Sequence, residues 1–450
     1  MTIRSVVLLS AATPYPRDSG KSVVLAGMLD HFRRSVPQTQ IHFLHVGKPL
    51  ADLAEFGDIV VHELGRRRRH ELVANLVFGV PCRGLSLQEA FTASRSVQAR
   101  MRAVLATLDA DLEVIDTIRM SQLAEQIPHR GRRVLYLDDL FSERYRRMLA
   151  VLDDDDAGSH FDPLGQFTVH VPGLLRGLTQ RRLFRRALLF LEQLLVARRE
   201  VRAVQGVELS LLLSRAEVAT LRQRSGAAVM AIPPLVAPPA RPEVGWSGRP
   251  DFCFVGMLSI AHNDDGLSWF LREGMPELLR RQPDAVLHVI GRGISPQVLE
   301  LARAHGDSVR LHGFVEDLDA LVGSCCAMVN VLRFGSGVKI KVLDALARGL
   351  PVVTTEVGAE GIGESSPGLV ITGSAAEAGF ELARLTDPQA RAAASMDAAG
   401  IYAERYAPAV VHAAYDEAFG TSASGLLFRA QPRAAADHRS KDLGARPGCR

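Results

Sequence analysis

The sequence predicts an α/β protein built from two parallel-sheet domains that face each other across a cleft. Three observations predict it. Short apolar runs of strand length alternate with helical segments along most of the chain, the pattern of parallel strands covered on both faces. At 450 residues the chain is too long for one ordinary hydrophobic core. Residues 233–250 are rich in proline and glycine with little hydrophobic periodicity, which reads as a linker between two halves.

In the first half, residues 1–232, Ser5–Leu9 reads as a buried strand. The loop Thr13–Lys21, TPYPRDSGK, leads into a helix over Ser22–Phe32. Ile41–Val46, Glu113–Thr117 and Val134–Leu137 are further strands, separated by helical material around Leu85–Leu108 and Ser121–Ile127. Asp153–Gly177 opens with four aspartates, breaks the rhythm and reads as a surface excursion. Leu178–Ala203 is a long helix rich in Leu and Arg. Leu209–Leu213 is a strand, Ser214 caps a helix over Ala216–Arg224, and Val229–Ile232 is the last strand.

The second half, residues 251–405, repeats the pattern more cleanly. Strands Phe252–Val255, Val286–Ile290, Val309–His312, Ala327–Leu332 and Val352–Thr354 alternate with helices over Asp264–Leu279, Pro296–Arg303 and Leu318–Val322. Val370–Thr372 is an extra strand candidate. Right-handed crossovers make such a domain Rossmann-like, with its loops gathered at the strand C-termini. Helices follow from Ala375, with 406–420 as a final element and 421–450 as a polar, arginine-containing tail expected to be disordered.

The stretch Val331–Thr355, VLRFGSGVKIKVLDALARGLPVVTT, carries the most chemistry. Gly335 and Gly337 flank Ser336, and a helix opens near Val338. Gly349 ends it and Pro351 opens the next strand. A glycine turn feeding a helix N-terminus suits an anion, although such turns serve helix–sheet packing equally well. Lys341 and Asp344 lie three apart and share a face. Cation and carboxylate together suit a ligand that bears both phosphate and sugar hydroxyls.

Composition excludes several classes. The chain is 47% hydrophobic and 23% charged, as a soluble globular protein is. A net charge of +3, without a nucleic-acid-binding signature, does not argue for nucleic acid. The five cysteines show no metal-ligand spacing and read as reduced thiols of a cytoplasmic protein, with Cys253 and Cys325 in the core. The N-terminal apolar run is read as a strand rather than a signal peptide. No apolar stretch reaches the roughly 20 residues that span a bilayer.

Several separate segments resemble the group 1, family 4-like glycosyltransferases of GT-B architecture. These are the 331–355 stretch, FVGMLSIAHNDDGLSWFL (252–271), LHVIGRG (287–293) and VRLHGFVEDLDALV (309–322). The resemblance covers most of 252–355 well and the rest loosely. It implies a GT-B fold, with residues 408–419 crossing back to the first domain. It implies a nucleoside-diphosphate sugar as co-substrate, no cofactor, no metal, and transfer with retention to a hydroxyl acceptor. The family's base site maps to Gly291, Arg292, Gly313, Phe314 and Val315. The diphosphate or donor sugar maps to Gly335, Ser336, Gly337 and Val338, and the ribose to Asp344.

The chain departs from the family in three places. Ser336 stands where the first of two acidic residues is usual. The loop MLSIAHNDD lacks the usual Arg and Lys, which leaves Arg292, Arg333, Lys339 and Lys341 as candidate cations for the leaving group. Lys341 is best placed by helical geometry; Lys339 reads equally as a solvent-facing residue. Asp138 replaces a usual histidine, and Asp139 beside it is the candidate to orient an acceptor hydroxyl or take its proton, or else a helix cap. Gly20 is the first-domain position for close backbone approach to donor and acceptor, with Lys21 assisting.

The resulting expectation is a cytoplasmic transferase acting on a glycan, lipid-linked or small-molecule acceptor. A non-catalytic accessory subunit and a sugar-nucleotide 2-epimerase are the alternatives. The basic run Arg66–His70 and the Leu/Arg pattern of Leu174–Arg202 leave peripheral membrane contact open beside a plain packed helix.

Overall fold

A computed structural model describes residues 3–17, 19–153, 182–240, 245–315 and 317–421. The expected excursion after Asp153 and the expected tail after Thr421 lie outside the described residues, as does Asp18.

The first domain holds seven parallel strands in the order β3-β2-β1-β4-β5-β6-β7. They are β1 (Ser5–Ser10), β2 (Gln40–His45), β3 (Val60–Glu63), β4 (Leu112–Asp116), β5 (Arg132–Asp138), β6 (Leu209–Leu212) and β7 (Val229–Ala231). Central β4 is buried along its whole length, its Glu113 paired with Arg133 and its Asp116 with Lys21. The helices are α1 (Gly20–Ser35), α2 (Arg69–Ala74), α3 (Val80–Arg83), α4 (Leu87–Thr92), α5 (Arg95–Thr107), α6 (Thr117–Ala124), α7 (Phe141–Asp153), α8 (Arg182–Gln205) and α9 (Arg215–Ser225). A π-helical turn, Asn75–Gly79, joins α2 to α3. Edge strand β3 and the α2–α3 rod have no counterpart in the sequence reading. β3 has no fully buried residue and α2 buries none, so neither leaves a hydrophobic period to detect.

The second domain holds six parallel strands in the order β10-β9-β8-β11-β12-β13. They are β8 (Asp251–Val255), β9 (Val286–Ile290), β10 (Val309–Gly313), β11 (Ala327–Asn330), β12 (Val352–Thr354) and β13 (Leu369–Ile371). Its helices are α10 (Ala261–Trp269), α11 (Met275–Arg281), α12 (Pro296–Ala304), α13 (Leu318–Gly323), α14 (Ile340–Ala347), α15 (Ala375–Arg384), α16 (Pro388–Arg405) and α17 (Pro408–Phe419). The extra strand candidate is a full sheet member, paired with β12. Cys253, Cys325 and Cys326 are buried free thiols, and Cys82 is exposed. Among the described residues, no helix is long and apolar enough to cross a membrane.

The domains are joined by more than the linker. One apolar core runs from Val24, Leu25 and Met28 in the first domain to Val338, Val342 and Leu346 in the second. α17 packs on α1: Phe419 lies 4.9 Å from Phe32 between ring centroids, and His31 Nδ1 meets His412 Nδ1 at 3.1 Å. Both strand sets therefore present their C-terminal loops to one cleft.

Candidate active site in the interdomain cleft

β11 delivers the chain to a loop anchored by buried Val331, Leu332 and Phe334. Gly335 (φ 139°) and Gly337 (φ 72°) adopt backbone conformations that other residues rarely take. The loop carbonyls face cations. Arg147 Nη1 donates to Gly335 O at 2.9 Å, and Lys339 Nζ donates to Ser336 O at 3.1 Å and Gly337 O at 2.6 Å. In a planar trans peptide the N–H points opposite to the C=O. The amides of Ser336, Gly337 and Val338 therefore point to the other side of the loop. Among the described residues, none accepts a hydrogen bond from these three amides. Consecutive free amides form a concavity suited to an anion.

Two corrections follow. The helix begins at Ile340, not Val338, because Lys339 is the extended N-cap residue. Lys339 does not face solvent: it is only 7% exposed, since its ammonium folds back onto the loop carbonyls. Burial lowers its pKa to about 8. Lys341 donates to Asn263 Oδ1 at 2.8 Å, and its ammonium lies 4.8 Å from the Phe254 ring centroid. Burial, and then Lys339, lower its pKa to about 7. His262 lies beside the loop, edge-on to Phe334, and burial plus the two lysines bring it to about 3. Lys339 is buried with Glu360 and Asp139 as partial compensation, whereas half-buried Lys341 has a second ammonium for its charged neighbour, a state that a bound anion would relieve.

The first domain reaches into this loop. Asp139 and Ser336 hydrogen bond across the cleft. Arg144 on α7 donates to Ser336 Oγ at 2.9 Å and to Asp139 Oδ2 at 2.6 Å. Burial raises the Asp139 pKa, but Arg144 and Ser336 outweigh it and hold the carboxyl below its ordinary value. A carboxylate held in that way is suited to positioning rather than to taking a proton. One turn along α7, Arg147 forms two 2.5 Å bonds with Glu360. Glu217 on α9 accepts from Leu140 N at 3.1 Å, and burial next to Asp139 pushes it up to about 8. The sequence reading missed Arg144, Arg147, Glu217, His262 and Glu360. The legible signal was the i, i+3 arginine pair just after the Asp138–Asp139 strand end.

The other expected donor-side residues sit as follows. Gly291 (φ 148°) lets its strand end approach Gly256 O, which a Cβ there would meet at 1.8 Å. The Arg292 guanidinium stacks 4.1 Å from the Phe314 ring centroid, and Phe314 is 59% exposed, a flat platform at the loop edge. Gly313 (φ 66°) has open space where a side chain would be, and Val315 packs against the core. Asp344 accepts from Arg348 Nε and Nη2, each at 3.1 Å, while Arg348 also pairs with Asp319. Arg333 is held by Asp265 on α10 through its Nε at 2.9 Å, and its guanidinium lies 5.7 Å from the Trp269 ring centroid on the same helix.

On the first-domain side, Gly20 begins α1, and a Cβ there would sit 3.1 Å from Ile340 Cγ1. Its close approach is therefore to α14. Lys21 pairs with Asp116 and, at 3.4 Å, with Asp138; it lies 4.5 Å from the Tyr136 ring centroid. Burial lowers the Lys21 pKa, but the two carboxylates more than offset this and leave it raised. Thr117 (φ 71°) and Asp138 (φ 74°), at the ends of β4 and β5, adopt left-handed backbone conformations that cost free energy away from glycine. A cavity of about 530 Å³ opens nearby, lined by Tyr15, His45, Lys48 and Arg66 among others.

Comparison with known proteins agrees with this geometry. Residues 249–387 match the family described as "Glycosyl transferases group 1". An uncharacterized 44.6 kDa protein of the cps region of Klebsiella pneumoniae is 34% identical over 116 residues, 24% of this chain. The match spans only 30% of that relative's length. Three solved structures share the fold. HepE of Anabaena, solved with UDP and glucose, has a TM-score of 0.57 at 14% identity, over 93% of this chain and 100% of that one. TarM of S. aureus, solved with UDP, Fondaparinux and alpha-GlcNAc-glycerol, reaches 0.62 at 8% identity, over 93% and 100%. The pneumococcal O-GlcNAc transferase GtfA, solved with UDP and GlcNAc, reaches 0.61 at 10% identity, over 93% and 99%. Residues 249–387 thus belong to the group 1 glycosyl transferases, carried in a chain of GT-B fold.

Proposed function

We propose that this chain transfers a sugar from a nucleoside-diphosphate donor to a hydroxyl acceptor. The observation that carries the proposal is the row of three free amides at Ser336, Gly337 and Val338, whose carbonyl side is closed by Lys339, with the half-buried Lys341 on the helix that follows. A diphosphate supplies the anion such a cradle lacks. UDP in the structures of HepE, TarM and GtfA favours a uridine nucleotide. The cps-region relative favours synthesis of a cell-surface glycan. The sugar transferred is proposed to be a hexose.

Departure of the nucleoside diphosphate builds negative charge on the phosphate, and fixed cations and amides aimed there lower the barrier. Lys341 is the second-domain cation for this task. Arg144, which already reaches Ser336, brings a further one from the first domain. With Asp139 committed to Arg144, the departing phosphate oxygen is the proposed acceptor of the incoming hydroxyl's proton, in a same-face transfer that retains configuration. The Phe314–Arg292 platform stacks the base, and Asp344 binds the ribose. No metal is required by this charge arrangement, so chelator should leave turnover unchanged. Lys21, Asp116 and Asp138 line the acceptor side.

Thermal unfolding against a panel of sugar nucleotides tests the proposal, because a ligand of the folded state alone raises its stability. The transfer reading expects one donor to shift the transition and to release nucleoside diphosphate slowly without acceptor. Binding without any turnover would point to an accessory subunit, and interconversion of free sugar nucleotides to an epimerase.

A further inference from the structure

The first domain carries an apolar surface that its core does not use. Arg69–Arg83 runs as one helical rod through α2, the π-helical turn and α3. Val73, Val77 and Phe78 on this rod are 60%, 54% and 64% exposed. The rod is held by polar contacts along the groove that Glu71, Asn75 and Phe78 line together. Glu71 accepts from Ser94 Oγ at 2.7 Å and Ser96 N at 2.9 Å, and Asn75 Nδ2 donates to Ala90 O at 3.1 Å and Ala93 O at 2.9 Å. These contacts leave Val73 and Val77 facing outward, with the exposed Phe78 at the rim of the groove.

A second apolar stripe adjoins it. On α8, Phe190, Leu191 and Leu194 are exposed. α8 lies directly beside the end of the rod: Glu192 accepts from Leu87 N at 2.7 Å and Gln88 N at 3.0 Å, and a Cβ at Gly84 would lie 3.9 Å from Leu195 Cδ2. Cations frame the rod. Arg66, Arg68, Arg69 and His70 are exposed at its start, and Arg83 at its end.

We propose that this face, the rod Arg69–Arg83 with the adjoining stripe of α8, docks on an anionic lipid surface. Apolar side chains at the centre enter the acyl boundary while flanking arginines meet negative headgroups, the combination that interfacial helices use. Charge argues against a second copy of the chain, since a self-paired contact would bring like arginine runs together. The docked face also stands close to the cleft. A groove of about 710 Å³ between the rod and α6 is lined by Gln122 and Leu123. These lie about 7–9 Å along the helix from Thr117 at its cleft end, at 1.5 Å per residue. An acceptor anchored in that lipid surface would need only a short reach to the transfer site. The docking proposal itself does not rest on the transfer reading.

The test is co-sedimentation of the full chain with phosphatidylcholine vesicles, with and without phosphatidylglycerol. The expected result is binding that needs the anionic lipid and weakens in high salt. Val77→Glu combined with Phe78→Glu should lower the bound fraction at least about tenfold, and Arg66→Glu with Arg68→Glu and Arg69→Glu should do so on anionic vesicles. Both variants should keep the wild-type melting temperature. No sedimentation of the wild type, or binding unchanged in both variants, would overturn the proposal. So would a dimer in light scattering that the Val77/Phe78 variant dissolves, which would make this an interface between copies. A marked fall in melting temperature in that variant would show the face to be covered by the chain's own residues, and would equally overturn it.

Discussion

At the residue scale, Lys341 is a group whose chemistry the tertiary structure changes strongly. An ordinary lysine is charged throughout the neutral range; here burial brings the ammonium down to about 7. A sugar nucleotide holds a constant diphosphate charge across that range, so the pH dependence of its binding reports the protein. On the proposed donor site, binding draws on the protonated amine, and the free protein loses that proton as pH rises through about 7. Donor affinity is therefore expected to be flat below pH 7 and to fall by up to about tenfold per pH unit above it. Calorimetry across pH 6–9 (about the range that brackets the shift) checks this, and Lys341→Met should weaken binding and remove the component centred near 7, leaving that of Lys339 and Glu217 near 8. Asp344 offers a second measurement. Arg348 occupies one direction of each carboxylate oxygen, which leaves lone pairs for ribose hydroxyls. Asp344→Ala is expected to weaken donor binding by about 1–3 kcal/mol; unchanged affinity in a folded variant removes it from the ribose site.

At the scale of elements, strand ends and helix starts make the site, and glycines set how closely they approach. A Cβ at Gly291 would meet the Gly256 carbonyl oxygen at 1.8 Å, and φ there is 148°. Gly291→Ala is expected to cost at least about 2 kcal/mol of stability in a denaturant titration, from clash and backbone strain together. At Gly337 the neighbour is Asp139 across the cleft, 3.1 Å from the Cβ position. Gly337→Ala should therefore push the domains apart locally and reduce donor affinity while leaving each sheet intact, which hydrogen exchange of α7 and α14 can resolve. The α7 pair Arg144 and Arg147 shows why element order alone does not reveal the site. Both belong to the first domain, yet both bond the second domain's glycine loop.

At the scale of the whole molecule, α17 closes the structure by returning to α1. His31 is fully buried between them, with His412 at 3.1 Å, Thr421 Oγ1 at 3.0 Å and Asp416 within ion-pair range. Burial lowers its pKa to about 4, against 6.5 ordinarily. The unfolded chain therefore binds more protons than the folded one between those values, and stability rises with pH in that window. Lowering the pH from 6.5 toward 4 should remove up to about 3 kcal/mol through this group alone. Glu217, raised to about 8, acts with the opposite sign, so the His31 contribution is read as a difference: as pH falls from about 7 to about 5, the melting temperature of His31→Gln should rise relative to that of the wild type. The contact joins the two domains at the end remote in sequence from the linker, so its loss should also loosen the cleft.

Sequence alone determined the two parallel sheets and the glycine turns of 331–355, because burial on both faces of a parallel strand and glycine-only backbone angles leave local marks. Its resemblance to a known family also pointed to Gly291, Gly335, Gly337, Lys341 and Asp344 as donor-side candidates. Edge strand β3 and the rod Arg69–Arg83 escaped, because elements that bury little carry little hydrophobic period. Only the tertiary structure decided the charge states and partners in the cleft. Lys339 turned inward, Asp139 was claimed by Arg144, and Gly20 was spent on contact with Ile340. Those outcomes depend on which groups from distant segments share a low-dielectric space, and no local pattern records that.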